Sequence, residues 1–293
     1  MRLTQLRSFH AVATTGSFTA AARSLHVSQP TVTTQVGQLE TLYGVELFHR
    51  AGRQVRPTEM GERLTVLSRQ IFALEAEAVQ LLRESGELHT GHLRVAAVGP
   101  SHVTRMLVAF NQRYPGIKVS VSTGNSQEVL ARLADYRADV GVLAQVALDE
   151  RFVSMPYSEH AVAIVCSAQH SFAQRRSIGI AELQGEKLIL RESGSTTRRA
   201  IETAMQDAGV VPEVVMEIGS REIIREAVLH NVGVAAVSEV EYVPGPGLRA
   251  VRLNDATVRT FTHVVCLAER QDSAIVRAFL RCAEDARPTH QSE

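Results

Sequence analysis

Long uninterrupted apolar runs are missing from the sequence. No run of about 18 apolar residues occurs, so we expect no membrane-spanning helix and no membrane partner. The first residues, Met1 to Ala13, alternate apolar and polar side chains and contain no uninterrupted apolar signal segment. Cysteine is scarce as well: Cys166, Cys266 and Cys282 are widely spaced and odd in number. This pattern favours a reduced, cytoplasmic protein over a disulfide scaffold.

Catalytic and metal-binding motifs are also missing from the sequence. It contains no Gly-x-Ser-x-Gly elbow, P-loop or dinucleotide-binding glycine fingerprint. His89 and His92 have the spacing of metal ligands, but no cluster of cysteines or carboxylates accompanies them, and we expect them to be solvated. Cys166 and Cys266 end apolar strands and are expected to be core residues rather than redox sensors. We therefore predict that the protein is not an enzyme, has no catalytic residues, and binds no metal or cofactor.

A net charge is absent too, because 31 Lys and Arg balance 31 Asp and Glu over 293 residues. This balance argues against a protein that is basic throughout, but the field at a surface depends on how charge is distributed. Residues 1–57 contain six arginines and two glutamates, which gives them a net charge of +4. The remaining residues must carry −4. The length and the 45% hydrophobic content predict two or three folded domains.

The N-terminal residues have the pattern of a helix-turn-helix. Helical spacing of apolar side chains predicts one helix from about residue 3, a second that begins after Ser17, and a third that begins after Ser28 and ends at Gly44. The third helix has a narrow apolar stripe, and its other face is neutral and able to form hydrogen bonds. That face contains Gln29, Thr31, Thr33, Thr34, Gln35 and Gln38. A helix, a short turn and a second helix with such a face are typical of a helix-turn-helix.

A basic segment and a long helix follow. Residues 53–56 are predicted to form a hairpin, or wing, whose arginines lie in solvent. Thr58 is predicted to cap a helix that runs to about residue 84. Apolar residues recur along it at alternating spacings of four and three, which is typical of a coiled coil. They are Met60, Leu64, Leu67, Ile71, Leu74, Ala78 and Leu81. The alternative is an amphipathic helix that packs on its own domain. Residues 86–91 are predicted to be a hinge.

From residue 92 onward, short apolar strands alternate with helices, and the same order occurs twice. The first series begins near Leu93 and the second near Lys187. This duplication predicts two similar α/β subdomains with mainly parallel central strands. The strand at 260–267 and the helix at 273–284 are expected to return the chain to the first subdomain. Ligands of such sheets bind beyond the carboxyl ends of the strands.

Small and hydroxylated residues occupy the loops where that ligand is expected. Ser195, Thr196 and Thr197 open a helix near Arg198, and free N–H groups at a helix start suit an anion. The other candidates are Ser101, His102, Asn125 and Ser220. We expect a carboxylate, phosphate, phosphonate or sulfate-like metabolite. Alternatively, the serines act only as N-caps. Arg221 is a weaker candidate, because an arginine in the first turn of a helix more often points outward.

The N-terminal residues resemble the LysR-type transcriptional regulators. The matching positions are Phe9, Gly16-Ser17-Phe18, Ala20-Ala21-Ala22, Leu25, Val27-Ser28-Gln29-Pro30, Val32, Leu39-Glu40, Gly44, Leu47-Phe48, Arg50, Pro57-Thr58 and Gly61. Residues 191–198, Gly219-Ser220 and Gly233 also resemble the family.

The resemblance implies an α+β multi-domain architecture. A winged helix-turn-helix (1–57) is joined by a coiled-coil linker and dimerisation helix (58–86) to an effector-binding domain (87–293). That domain is expected to resemble periplasmic binding proteins, with subdomain I at about 92–161 and 267–293 and subdomain II at about 162–266.

The resemblance also implies a function and a set of DNA contacts. Residues that face DNA are expected to be Ser28, Gln29, Pro30, Thr31, Thr33, Thr34, Gln38, Arg50 and Arg53. Members of the family often carry a basic residue near Thr34 or Gly37, and this sequence does not. We expect a sequence-specific regulator that binds double-stranded promoter DNA and is switched by a small metabolite. Its other expected partners are RNA polymerase and further copies of itself, in a dimer or tetramer. The alternative is a solute-binding or sensor module whose N-terminal helices serve only assembly.

Overall fold

The computed structural model describes residues 1–49, 55–83, 90–144, 149–254 and 258–288. The chain forms two compact units: an N-terminal unit of residues 1–87 together with 135–137, and a C-terminal unit of residues 88–134 and 138–293. No helix in these described ranges is long and apolar enough to span a membrane.

Three helices build the beginning of the N-terminal unit, as the capping pattern predicts. They are α1 (Leu3–Thr15), α2 (Phe18–Ser24) and α3 (Gln29–Tyr43). The side chains of Ser17 and Ser28 each accept a hydrogen bond from a backbone N–H in the first turn of the helix that follows. Gly44 ends α3 in the left-handed conformation, with a φ of 64°. The turn between α2 and α3 includes His26, which also has a positive φ.

A small core and a two-stranded sheet complete the helix-turn-helix. The largest fully buried side chains here are Leu6, Phe9, Leu39 and Leu47. The strands β1 (Phe48–His49) and β2 (Arg56–Pro57) pair in antiparallel fashion, as the predicted wing requires. Arg50 and Arg53 lie outside the described residues.

The long helix α4 (Glu59–Arg83) begins where the sequence predicts, and Thr58 Oγ1 accepts a hydrogen bond of 3.1 Å from Gly61 N. One face of α4 packs on the helix-turn-helix: Ser68 Oγ lies 2.8 Å from His10 Nδ1 on α1, and Phe72 contacts the same histidine ring. A Cβ at Gly61 would lie 2.1 Å from the Leu47 carbonyl oxygen, so only glycine permits this approach.

The second face of α4 carries the predicted heptad residues and faces away from the packed one. Met60, Leu67, Ile71 and Leu74 are exposed, and the side chains of Leu67 and Leu74 expose 53% and 56% of their area. Leu64 packs against the helix-turn-helix core instead. The side chain of Leu81 is not among those described.

The C-terminal unit contains two sets of helices and strands. The helices are α5 (Pro100–Arg113), α6 (Ser126–Ala134), α7 (Thr196–Asp207), α8 (Arg221–Leu229) and α9 (Ala274–Asp285). The strands are β3 (Gly91–Ala97), β4 (Ile117–Thr123), β5 (Val140–Ala144), β6 (Phe152–Ser167), β7 (Ser177–Ile178), β8 (Lys187–Arg191), β9 (Glu213–Ile218), β10 (Val234–Ser238), β11 (Leu248–Leu253) and β12 (Arg259–Leu267). Short 3-10 helices occupy Ser171–Gln174, Ile180–Leu183, Glu239–Glu241 and Ala268–Arg270.

The strands pair in the order β4-β3-β5-β12-β6-β10-β8-β9, with β11 pairing to β6 and β7. The pairs β3–β4, β3–β5, β8–β9 and β8–β10 are parallel, as the duplicated pattern predicts. The long strands β6 and β12 connect the halves. The first part of β6, to Ala161, pairs with β12, whereas the part from Val162 pairs with β10 and β11. β6 is not among the predicted elements, because it crosses between subdomains and no single face of it stays buried along its length.

The second crossing corrects a predicted boundary. The subdomain boundary expected at 267 is too late, because β12 already pairs with β5 between Thr262 and Val265. Val264 and Cys266 of β12 are buried in the same core as Leu93 and Phe279. We therefore define subdomain I as residues 91–161 and 259–288 and subdomain II as residues 162–258. Subdomain II has its own core around Ile164, Leu188 and Ile201.

Candidate functional site

The exposed face of α3 is the first candidate surface. Ser28, Gln29, Pro30, Thr33, Thr34 and Gln38 are exposed, and Thr31 is partly buried. Gln29 Nε2 donates to Thr33 Oγ1 over 3.0 Å, and Ser28 Oγ and Thr31 Oγ1 share a hydrogen bond of 2.7 Å. These bonds are local to α3, so water or a nucleic-acid base can replace them without disturbing the fold.

Two glutamines of α3 form hydrogen bonds with side chains of α1. Ser8 Oγ donates to Gln35 Oε1, and Gln5 Nε2 donates to Gln38 Oε1 over 3.3 Å. Gln35, which the helical pattern assigned to the polar face, is therefore used to dock α3 on its own unit. Gln38 remains exposed beyond this contact.

The second candidate is a polar cleft between subdomains I and II. It holds about 360 Å³ of empty space, including its open mouth. It lies at the carboxyl ends of β3, β5, β8 and β10. Its walls are formed by Val98, Asn125, Ser126, Ala144, Thr260 and Thr262 from subdomain I and by Arg191, Ser195, Thr196, Thr197, Arg221, Ser238 and Glu241 from subdomain II.

Hydroxyl groups and helix N-termini dominate the cleft. Ser126, Ser195 and Thr197 are buried at the start of α6 and α7, where backbone N–H groups lack intrahelical partners. Ser238 Oγ and Thr260 Oγ1 share a hydrogen bond of 3.0 Å on the opposite wall. Hydroxyl donors and two helix starts thus face one small volume, which favours a negatively charged ligand.

Arg191 supplies a buried positive charge that is absent from the predicted site. Its side chain is 9% exposed, and Nε and Nη2 each donate to a carboxylate oxygen of Glu192 over 2.8 Å. β8 ends at this residue, so its guanidinium lies at the carboxyl edge of the sheet. The sequence signal for it is a charged pair directly after an apolar strand.

Arg221 connects the two subdomains across the cleft. Its Nη1 donates to the Val98 carbonyl oxygen of subdomain I over 2.9 Å, and its Nη2 donates to Glu241 of subdomain II over 2.8 Å. The expectation that this first-turn arginine points outward is wrong, because these two acceptors hold it in the cleft.

A close approach at Gly194 forms a second connection between the subdomains. This residue has a φ of +95°, a left-handed conformation that L side chains rarely adopt. A Cβ here would lie 2.9 Å from Gln127 Oε1 and 3.3 Å from Asn125 Cγ, both at the start of α6. The loop before α7 therefore lies close to subdomain I, and a side chain at residue 194 would strain the backbone and displace the Gln127 or Asn125 side chain.

The structure brings some of the predicted effector residues into the cleft. Ser195, Thr196, Thr197 and Asn125 line it. Ser195 Oγ also accepts from Arg198 N, and Asn125 Oδ1 accepts from Glu128 N, so both cap helices.

Other predicted residues lie elsewhere. Ser220 caps α8 and donates to Glu222 over 2.7 Å, which lowers the pKa of that carboxyl group, and it does not line the cleft. Ser101 lines a neighbouring apolar cavity instead. The side chain of His102 is not among those described. The guanidinium of Arg198 is held by Glu202 and Glu217, which raise its pKa.

The cysteines and histidines show no arrangement for redox or metal chemistry in the part of the chain that the structure describes. All three cysteines are buried, and burial raises their pKa values, for Cys266 to about 11. His92 Nε2 lies 2.9 Å from Ser120 Oγ, and His89 is outside the described residues. Within those residues, no group of three or more His, Cys, Asp or Glu side chains could hold a metal ion.

An exposed helix-turn-helix face and a polar cleft between two α/β subdomains define a ligand-responsive DNA-binding protein. Comparison with known families is specific on this point. Residues 3–62 match the bacterial regulatory helix-turn-helix protein, lysR family, and residues 86–288 match the LysR substrate binding domain. The chain belongs to the LysR family of transcriptional regulators. It is a DNA-binding regulator switched by a small molecule, and the alternative of a solute-binding module without DNA binding is not supported.

Relatives of known function agree with this assignment. The chain is 32% identical over 284 residues to the HTH-type transcriptional activator CmpR of Synechocystis sp., which covers 95% of this chain and 93% of CmpR. Full-length CbnR complexed with its target DNA shares the fold, with a TM-score of 0.72, 21% identity, and coverage of 98% and 100%. The Synechocystis CcmR regulatory domain in complex with 2-PG has a TM-score of 0.63 at 25% identity and covers 69% of this chain and 99% of the domain.

Proposed function

We propose that the effector is a small oxyanion that binds in the polar cleft between subdomains I and II. The observation that carries this proposal is the convergence of Arg191, the hydroxyl groups and the starts of α6 and α7 on one small volume. Each supplies hydrogen-bond donors, and the two helix dipoles add positive potential.

The Arg191–Glu192 pair explains how an anion gains affinity here. Glu192 already holds the buried guanidinium, so no uncompensated charge is stored when the cleft is empty. An oxyanion that enters adds acceptors for donors that Glu192 does not use. Carboxylate, phosphate, phosphonate and sulfate groups all present such acceptors.

The CcmR regulatory domain supplies a first compound to test, because its structure was solved in complex with 2-PG. Thermal unfolding of the full chain is measured with 2-PG, inorganic phosphate, sulfate and acetate. A ligand at about 100 times its Kd stabilises the folded state by about 2.7 kcal/mol, which raises the unfolding temperature by several degrees. If none of the anions does so, the oxyanion proposal fails.

A matched pair of variants places the ligand. Thr196→Leu puts an apolar side chain into the cleft wall, whereas Thr203→Leu makes the same change on an exposed position of α7. The first substitution should abolish the anion-dependent stabilisation and the second should leave it intact. Equal stabilisation of both variants would place the anion outside the cleft.

Effector binding is proposed to act by favouring one arrangement of the two subdomains. The ligand would strengthen the closed arrangement in which Gly194 meets α6 and Arg221 reaches the Val98 carbonyl. Such a shift can be no larger than the difference between the effector's affinities for the two arrangements. In an oligomer, the shift would alter the spacing of the recognition helices and the bend of the bound DNA.

The exposed face of α3 is proposed to read DNA in the major groove, with Arg50 and Arg53 of the wing at the phosphates or the minor groove. Glutamine can contact adenine through two hydrogen bonds, and threonine can contact the methyl group of thymine. Binding of a labelled promoter fragment is compared for Thr34→Ala and Thr41→Ala, two exposed threonines of the same helix. The first should lose affinity or base preference and the second should not; equal behaviour would remove Thr34 from the interface.

Self-association is proposed to occur through the exposed apolar face of α4, and RNA polymerase is proposed as the partner of the DNA-bound oligomer. Leu67 and Leu74 would pack in the seam of a coiled coil. Sedimentation of Leu67→Asn/Leu74→Asn should show a smaller oligomer than the unmodified chain. Arg63→Asn, at an exposed position on the same helix, is the matched control. An unchanged oligomer in the double variant would exclude this seam.

A further inference from the structure

A second cavity lies beside the polar cleft, and its character is different. It contains about 940 Å³ of empty space, including its mouth. Its apolar lining residues include Ile224, Val228, Ala235, Val237, Tyr242 and Val243. We call it the apolar chamber. It shares only Arg191, Thr197, Arg221 and Glu241 with the cleft among the lining residues that are described.

The chamber is formed mainly by α8, β10 and the segment after β10 of subdomain II, and Pro100 and Ser101 of subdomain I also line it. Ile224 and Val228 of α8 are buried opposite Ala235 of β10, whose small side chain leaves space between the two elements. Tyr242 and Val243 form the outer wall, and Val243 is exposed at the mouth. A hydrocarbon that enters apolar space of this kind removes apolar surface from water, which favours its binding.

The Arg221–Glu241 ion pair separates the chamber from the cleft. Both residues line both spaces, and the pair is fixed by hydrogen bonds of 2.8 and 3.1 Å. A ligand in the chamber therefore contacts the same arginine that reaches across to Val98. The two spaces are distinct in lining but adjoin the same connection between subdomains.

The chamber lining contains three arginines, Arg191, Arg221 and Arg225, and two glutamates, Glu222 and Glu241, so one positive charge is in excess. Arg225 lines the chamber, and its Nη1 donates over 2.9 Å to Glu226, which is not a lining residue. Arg191 is likewise paired with Glu192, which is also outside the lining. The carboxylate partners of Arg225 and Arg191 thus lie outside the lining, whereas Glu241, the partner of Arg221, is part of it. Glu222 also lines the chamber and accepts a hydrogen bond from Ser220. The combination suits a ligand with a hydrocarbon body and one negative group.

We infer that the apolar chamber is a second ligand site, separate from the polar cleft, that takes an apolar monocarboxylate of about the size of octanoate. The hydrocarbon lies between α8 and β10, and the carboxylate lies at Arg225. A ligand there contacts the Arg221–Glu241 pair, which adjoins both spaces. The ligand therefore acts together with the oxyanion on the arrangement of the two subdomains.

Calorimetric titration of the full chain with octanoate tests this inference. One octanoate should bind per chain, and hexanoate should bind about tenfold more weakly because two buried methylene groups are lost. Acetate, which carries the charge without the hydrocarbon, should show no binding at the same concentrations. Equal affinity for hexanoate and octanoate, or no binding of octanoate, would overturn the inference.

Variants identify the location. Val237→Phe fills the chamber, whereas Val215→Phe makes the same change in the same apolar cluster at a residue that does not line it. Octanoate binding should be lost in the first variant and kept in the second. Loss in both or in neither would contradict the location. Arg225→Gln, at a partly exposed residue, keeps the test valid if Val237→Phe does not fold. It should weaken octanoate at least about fivefold and leave 1-octanol unchanged.

A competition experiment separates the two sites. In saturating 2-PG, octanoate should still bind at one per chain. An apparent Kd for octanoate that rises in proportion to the 2-PG concentration would mean a single shared site and would overturn the inference. If 2-PG itself does not bind, the octanoate results stand alone, since none of their variants alters a residue that lines only the cleft.

Discussion

The recognition surface and the effector cleft are built in opposite ways. The candidate DNA contacts on α3 come from residues 28–38, so a single helix presents them all. The lining of the cleft comes from residues between Val98 and Thr262, on both subdomains and at the ends of several strands. On α3 the polar side chains are exposed and bonded mainly to neighbours on the same helix. In the cleft, Ser126, Ser195, Thr197 and Arg191 are buried.

This difference has consequences for how each region tolerates substitution. Replacement of an exposed polar residue on a helix costs the protein little stability, because water forms hydrogen bonds with the groups that remain. When a buried polar side chain in the cleft is replaced, its former hydrogen-bond partners are left unsatisfied, and the loss of free energy is larger. Cleft substitutions should therefore have large effects on effector binding and none on DNA affinity in the absence of effector. Helix substitutions should do the reverse.

The largest effect is expected from Arg191→Met. It removes the buried guanidinium from the cleft, and a hydrogen bond to a charged group contributes about 1.5–3 kcal/mol, so affinity for the oxyanion should fall by about ten- to a hundredfold. Calorimetric titration with 2-PG, or with whichever anion stabilises the chain, measures it. Arg199→Met, on the exposed side of α7, is the control. If Arg191→Met lowered the affinity for effector and for DNA alike, the two regions would not respond independently to substitution.

A smaller effect is expected from Gly194→Ala, with Gly209→Ala as its control. Both glycines have a positive φ, so both substitutions should lower the free energy of unfolding by about 1 kcal/mol. Only the Cβ at residue 194 meets the other subdomain, since nothing lies within 4 Å of one at residue 209. Effector affinity should fall several-fold in Gly194→Ala alone. Urea unfolding of both variants measures the backbone strain. Titration of both variants with the effector measures whether the added Cβ keeps the two subdomains apart.

On the DNA side, Arg56→Ala should weaken binding to all sequences alike. Arg56 is exposed on β2, and a side chain that neutralises one phosphate adds about one unit to the salt dependence of binding. Anisotropy titrations at several salt concentrations should give a slope that is lower by about one unit. Effector affinity should not change. A loss confined to the specific promoter sequence would instead assign Arg56 to base readout.

The smallest effect is expected from Gly37→Ala. This glycine lies within α3, and a Cβ there would meet nothing within 4 Å. Alanine should raise the free energy of unfolding by about 0.5–1 kcal/mol, because glycine loses more conformational freedom in a helix. Chemical denaturation of the full chain, followed by helix content, checks this. A decrease would show that the glycine has a role that its surroundings do not reveal.

Much of the fold follows from local pattern. The caps at Ser17, Ser28 and Thr58, the end of α3 at Gly44 and the repeated strand–helix order all predict the elements that the structure contains. Each of these signals acts over a few residues and needs no knowledge of distant ones. The long strand β6 escapes such reasoning, since its neighbours change at residue 162 and its pattern of burial changes with them.

The cleft could be predicted only in part for a related reason. Ser195, Thr196, Thr197 and Asn125 follow from the rule that ligands bind where strands end and helices begin. Arg191 and Arg221 do not, because the direction of a long side chain depends on its acceptors. For Arg221 one acceptor is the Val98 carbonyl oxygen, 123 residues earlier in the chain. Ser220 obeys the same local rule as Ser195, yet it does not line the cleft.

The sequence by itself determined that a chain of zero net charge divides into a basic N-terminal segment and an acidic remainder. It also determined that a helix with a neutral polar face precedes a duplicated α/β pattern. Capping, periodicity and charge are local properties, and these are read directly from the residues. The tertiary structure decided which arginines face the ligand, that glycine at residue 194 permits contact between the subdomains, and that an apolar chamber adjoins the polar cleft. Those features depend on packing between segments far apart in the chain, which no local pattern encodes.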